Sequence, residues 1–78
     1  MNNLINLMIK YPTLKVCFET YLLAVKKHYK KVAKQYFIAI DNILTMFTYD
    51  MKIITPECMC DIRKHLIAYA RVFKMNIP

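Results

Sequence analysis

The sequence predicts an all-α protein, and three observations carry that reading. An apolar seam of Phe18, Leu22, Val25, Tyr29, Val32, Tyr36, Ala39, Ile43 and Met46 recurs at alternating spacings of four and three, with no glycine or proline to interrupt it. That is the heptad signature of an amphipathic helix. Thr55-Pro56-Glu57 heads a second apolar stripe in the form of a helix start. At the N-terminus, Leu4, Ile5, Met8 and Ile9 fall at helical offsets. The expected architecture is a single helical domain over residues 1–78, with a short N-terminal helix, a long amphipathic helix and a capped C-terminal helix. Such a small bundle is completed by oligomerisation or by a partner.

The first helix is expected from Asn2 to about Lys10, with Asn2 or Asn3 as its cap. It is too short to be stable alone. Tyr11-Pro12-Thr13 interrupts it, because Pro12 lacks an amide donor and biases Tyr11 away from helical angles.

The long helix is expected from about Thr13 to Thr48. Placed at about 100° per residue, Lys26, Lys27, Lys30, Lys31 and Lys34 fall within an arc of about 140° opposite the seam. Val16, Leu23, Phe37, Ile38 and Leu44 lie off the seam near the two ends, so both ends are expected to be embraced by other helices while the lysine-bearing middle stays in water. A continuous helix of about 35 residues would be ~50 Å long. The alternative is a kink near His28 to Lys31 or near Asp41-Asn42.

Tyr49-Asp50-Met51-Lys52 reads as a turn and Ile53-Ile54 as an apolar connector. In the last helix Thr55 is the cap, Pro56 takes the first position, and Glu57 and Asp61 oppose the positive end of the helix dipole. Ile54 and Met59 have the spacing of a hydrophobic staple. Ile62, Leu66, Tyr69 and Phe73 form the buried stripe, Arg71 and Lys74 sit at the negative end, and Asn76 and Pro78 stop the helix.

Composition narrows the function. Hydrophobic residues make up 58% of a chain only 78 residues long, too much apolar surface for so small an interior, so part of it is expected to face another chain. The net charge of +7 favours an anionic partner: a phosphate backbone, lipid headgroups or an acidic protein surface. Absence of glycine removes the dinucleotide fingerprint, the P-loop and the nucleophile elbow. The wealth of Ile, Lys, Tyr, Asn and Met resembles the AT-biased composition of viral and phage accessory proteins. Three cysteines are an odd number and too few for a secreted disulfide scaffold, and no basic leader precedes the apolar Met1 to Ile9. An intracellular, reducing location, cytoplasmic or nuclear, is the expectation, with no transmembrane segment.

Catalytic and metal chemistry find little footing. Cys58, Cys60, His65 and Cys17 superficially offer a zinc site, but Cys58 and Cys60 lie about 200° apart on a helix, and buried cysteines are the simpler reading. Cys58 and His65 are two turns apart, roughly 10 Å along the axis, too far for a nucleophile and its base. Glu19, Asp41, Asp50, Glu57 and Asp61 show no paired arrangement for acid–base work. No enzyme, cofactor or metal is expected.

The lysine face is the functional candidate. Lys26, Lys27, Lys30, Lys31 and Lys34 could each neutralise a phosphate in a sequence-indifferent way. No acidic residue occurs between Glu19 and Asp41, whereas a purely solubilising face mixes signs. Tyr21, Tyr29 and Tyr36 suggest base stacking, yet Tyr29 and Tyr36 lie on the seam, which favours the core for them. Only Arg63 and Arg71 offer forked donors to guanine.

The leading expectation is therefore a non-enzymatic, homo-oligomeric helical protein that contacts a nucleic-acid backbone non-specifically, with Phe18, Leu22, Val25, Tyr29, Val32, Tyr36 and Ile43 at the oligomer interface. The second is an interaction subunit or inhibitor that buries its apolar surface on a partner protein. Docking of the basic amphipathic helix on an anionic membrane is a third.

Overall fold

A computed structural model describes residues 2–77. The described residues form four α-helices, α1 (Asn2–Lys10), α2 (Pro12–Lys26), α3 (Lys30–Thr45) and α4 (Pro56–Val72), with a π-helical turn over Met46–Asp50 and no strand. The expected capping of α1 by the Asn2 or Asn3 side chain, and the stop at Pro78, lie outside what is described.

α1 buries Leu4 and Leu7. Tyr11 leaves the helical region (φ −122°, ψ 88°), as a residue preceding proline must, and Pro12 opens α2. The Tyr11 ring packs 4.7 Å from that of Phe47, which ties this corner to the π turn.

The long helix is two helices. α2 ends in a Schellman motif, with the His28 amide donating to the Val25 carbonyl (3.0 Å) and the Tyr29 amide to the Ala24 carbonyl (2.8 Å). His28 takes the left-handed position at φ 61°. The break falls at the first of the two kinks that the sequence allowed, His28 to Lys31, although glycine, which usually fills that position, is absent from this chain. α3 then folds back along α2 in the most extensive helix–helix contact of the molecule. The Tyr21 and Phe37 rings, placed symmetrically about Tyr29, lie 6.2 Å apart. The whole molecule extends only 33 × 22 × 20 Å, which a ~50 Å helix would overrun.

The break also resets the apolar phase. Leu14, Phe18, Tyr21 and Val25 carry the core of α2 at spacings of four and three, as a heptad requires, but in α3 the buried residues are Ala33, Phe37, Ile40 and Leu44, followed by Phe47. Each lies one residue beyond the expected Val32, Tyr36, Ala39, Ile43 and Met46. Three non-helical residues, Lys27 to Tyr29, intervene, so the face of α3 toward α2 need not continue the stripe of α2. Phe37 and Leu44 are core residues as the burial of the ends implied, whereas Val16, Leu23 and Ile38 are exposed.

The expected turn at Tyr49 to Lys52 begins earlier. The helix widens over Met46–Asp50, Thr48 is buried with its hydroxyl donating to the Leu44 carbonyl (2.7 Å), and the turn closes with Lys52 at φ 55°. Thr55 then caps α4 as its sequence implies, its Oγ1 accepting from the Cys58 amide at 3.1 Å. Ile62 and Leu66 are buried, and Tyr69 and Phe73 pack at the margin of the core.

α4 ends in a second Schellman motif: the Lys74 amide donates to the Arg71 carbonyl, the Met75 amide to the Ala70 carbonyl, both at 2.9 Å, and Lys74 sits at φ 58°. The chain is thereby turned back, and Met75 and Ile77 are buried in the core. Polar links between helices complete the bundle. Arg63 on α4 holds Asp41 on α3 through Nε (2.8 Å) and Nη2 (2.6 Å), and the Tyr21 hydroxyl on α2 donates to the Leu66 carbonyl on α4 at 2.6 Å.

Candidate functional site

The five lysines are gathered around a corner rather than along one helix. Lys26 is the last residue of α2, Lys27 its C-cap, and Lys30, Lys31 and Lys34 lie in the first turn and a half of α3. All five are exposed, as are His28 and Tyr29 between them.

Helix electrostatics treats the two sides of this corner differently. Lys26 and Lys27 face the negative end of the α2 dipole and are stabilised there. Lys30 and Lys31 stand at the positive end of α3, where cations are disfavoured. No acidic residue occupies the first turn of α3, and Tyr29 supplies no side-chain cap. Lys30 and Lys34, four apart, add like-charge repulsion of a few tenths of a kcal/mol. Among the described residues none of the five pairs with a carboxylate. The fold gains nothing from the charge on the α3 side of the corner.

α4 brings further charge to the same corner. The His28 ring meets the Phe73 ring edge-on with centroids 6.4 Å apart, so Lys74, exposed and next to Phe73, belongs to this end of the molecule. Glu57 and Asp61 sit at the opposite end of α4, and Asp41 is engaged by Arg63. In the sequence Lys74 is marked only as a dipole partner of α4, and nothing there joins it to Lys27.

The expected oligomer interface is divided by the fold. Phe18 and Val25 are buried within the chain's own core, and Leu22, Tyr36 and Ile43 pack against it, half-covered. Tyr29 and Val32 point outward, Tyr29 with 59% of its surface exposed. The phase reset at His28 is the cause. Outward apolar surface lies elsewhere: Ile5 and Ile9 on α1, and Val16 (58% exposed) and Leu23 (52%) two turns apart on α2.

The remaining candidates stay apart. Cys17, Cys58 and Cys60 are free thiols, and no group of three His, Cys, Asp or Glu among the described residues could hold a metal ion. His65 Nδ1 lies 2.7 Å from the Asp61 carbonyl oxygen on its own helix. Arg63 is occupied by Asp41, which leaves Arg71 as the exposed arginine. No helix of the described residues is long and apolar enough to cross a membrane.

Compared with known protein families, curated proteins and solved structures, the chain finds no match.

Proposed function

We propose that the protein is a non-enzymatic binding module whose corner between α2 and α3 grips a nucleic-acid phosphate backbone through Lys26, Lys27, Lys30, Lys31 and Lys34. The supporting observation is the uncompensated charge at the start of α3, where the helix dipole and the neighbouring lysines both oppose Lys30 and Lys31. A phosphate at this point relieves that repulsion and meets the free amides of the first helical turn. Lys74 extends the same surface.

The test is electrophoretic binding to random-sequence oligonucleotides by the wild type and by a triple Lys27→Ala, Lys30→Ala, Lys34→Ala variant. Loss of binding in the variant, with an unchanged circular dichroism spectrum, supports the reading. Equal binding by both proteins rejects it.

A second reading rests on the apolar surface that the fold leaves outside. Val16 and Leu23 on α2 and Ile5 and Ile9 on α1 suit burial against a second copy or a partner protein. Sedimentation giving a monomer at micromolar concentration removes the homo-oligomer from this reading.

A further inference from the structure

We infer that the ligand of the lysine corner is a single-stranded nucleic acid and that the Tyr29 ring is the platform on which one of its bases stacks. This rests on the backbone-binding reading and adds a base contact to it. Tyr29 is the aromatic residue at the centre of the lysine run, with Lys26 and Lys27 before it and Lys30 and Lys31 after it. More than half of the surface of Tyr29 is exposed, while Tyr11, Tyr21, Tyr36 and Tyr69 are buried or half-buried in the fold. Tyr49 is also exposed, but it stands beside Asp50 in the π turn, outside the run of five lysines.

The backbone under the ring is fixed at both ends. The Tyr29 amide donates to the Ala24 carbonyl at 2.8 Å, and its carbonyl accepts from the Ala33 amide at 2.8 Å. A tyrosine with only two side-chain torsions on a hydrogen-bonded corner loses little freedom when a base settles on it. The ring has no aromatic neighbour among the described residues; the pairs formed are Tyr11–Phe47, Tyr21–Phe37, His28–Phe73 and Tyr69–Phe73. No aromatic ring of the described residues therefore competes with a base for its face.

A duplex hides its base faces inside the stack, so an exposed ring among phosphate-binding lysines gains nothing from double-stranded DNA or RNA. An unpaired strand offers both components at once, charge along the backbone and a free base face for each nucleotide. The combination of cationic side chains with an interleaved aromatic is the chemistry by which single strands are held without regard to sequence.

The experiment measures anisotropy of labelled 20-nucleotide single strands, DNA and RNA in separate arms, and of a matching hairpin duplex. The proteins are the wild type, Tyr29→Ala, Tyr29→Phe and the triple lysine variant. Tyr29→Ala is expected to weaken single-strand binding between about 5- and 150-fold and to leave duplex binding unchanged, while Tyr29→Phe retains the wild-type affinity. In Tyr29→Trp, the added tryptophan is the only one in the chain, and its fluorescence should be quenched by the single strand. The inference is overturned if Tyr29→Ala binds single strands as the wild type does, or loses single-strand and duplex affinity equally, while the triple lysine variant is still impaired. That outcome leaves the backbone reading standing. If the wild type binds none of the nucleic acids, the backbone reading fails and this one with it.

Discussion

The Tyr21 hydroxyl on α2 donates to the Leu66 carbonyl oxygen on α4 at 2.6 Å, in the interior, where no water competes. A second tyrosine returns the link: the Tyr69 hydroxyl on α4 faces the Leu22 carbonyl on α2 at 3.4 Å. These two helices are thus joined by side chain to backbone in both directions.

Removing the hydroxyl of Tyr21 tests how much the buried link contributes. Tyr21→Phe is expected to cost about 1 to 2 kcal/mol in urea unfolding, since the ring packing survives and only the bond and its phenol are lost. Tyr69→Phe, at the longer distance and with partial exposure, is expected to cost less than half as much. No loss in either variant would show that the two tyrosines act by packing alone.

The same phenol predicts an alkaline limit. Burial, and secondarily the neighbouring Tyr69, push the Tyr21 pKa from the ordinary 10.0 up to about 12. In the unfolded chain the phenol loses its proton near pH 10, whereas in the folded protein it holds it, so the unfolded state gains by ionising first. The contribution of Tyr21 is therefore fully present below pH 10 and is lost as pH rises from 10 to about 12. Unfolding titrations across that window should show a smaller decline for Tyr21→Phe than for the wild type.

Lys74 at φ 58° carries the steric cost of a left-handed residue with a Cβ. Lys74→Gly is expected to raise stability by roughly 1 kcal/mol, the relief of strain exceeding the added freedom of the unfolded chain. His28→Gly should gain less, because it also gives up the edge contact with Phe73. Thermal melts of the two variants beside the wild type give both values, and destabilisation by Lys74→Gly would contradict the strain.

These left-handed residues explain what the sequence conceals. α4 was legible because Thr55, Pro56 and Glu57 are side-chain signals of a helix start. The break at His28 has no such signal, since a Schellman motif without glycine is built from ordinary residues. Two apolar patterns overlap beyond it, one through Val32, Tyr36 and Ile43 and the other through Phe37, Ile40 and Leu44. Periodicity alone extends the stripe of α2 into the first, while packing against α2 selects the second. The five lysines were legible as residues, but their assembly with Lys74 at one corner depends on the reversal of the chain. Periodicity puts Tyr29 in a buried seam for the same reason, and only the fold exposes it. The inward return of Met75 and Ile77 follows from Lys74 and had no periodic pattern to announce it.

The lysine corner is tested most directly by the salt dependence of nucleic-acid binding. Anisotropy of a labelled single strand between about 50 and about 200 mM salt should give a slope of log affinity against log salt of roughly −3 to −4, if each of the five lysines releases a counterion, and the triple lysine variant should flatten it by about 2. Absence of binding at the lowest salt, or a slope that the three substitutions leave unchanged, would contradict phosphate binding at the corner between α2 and α3.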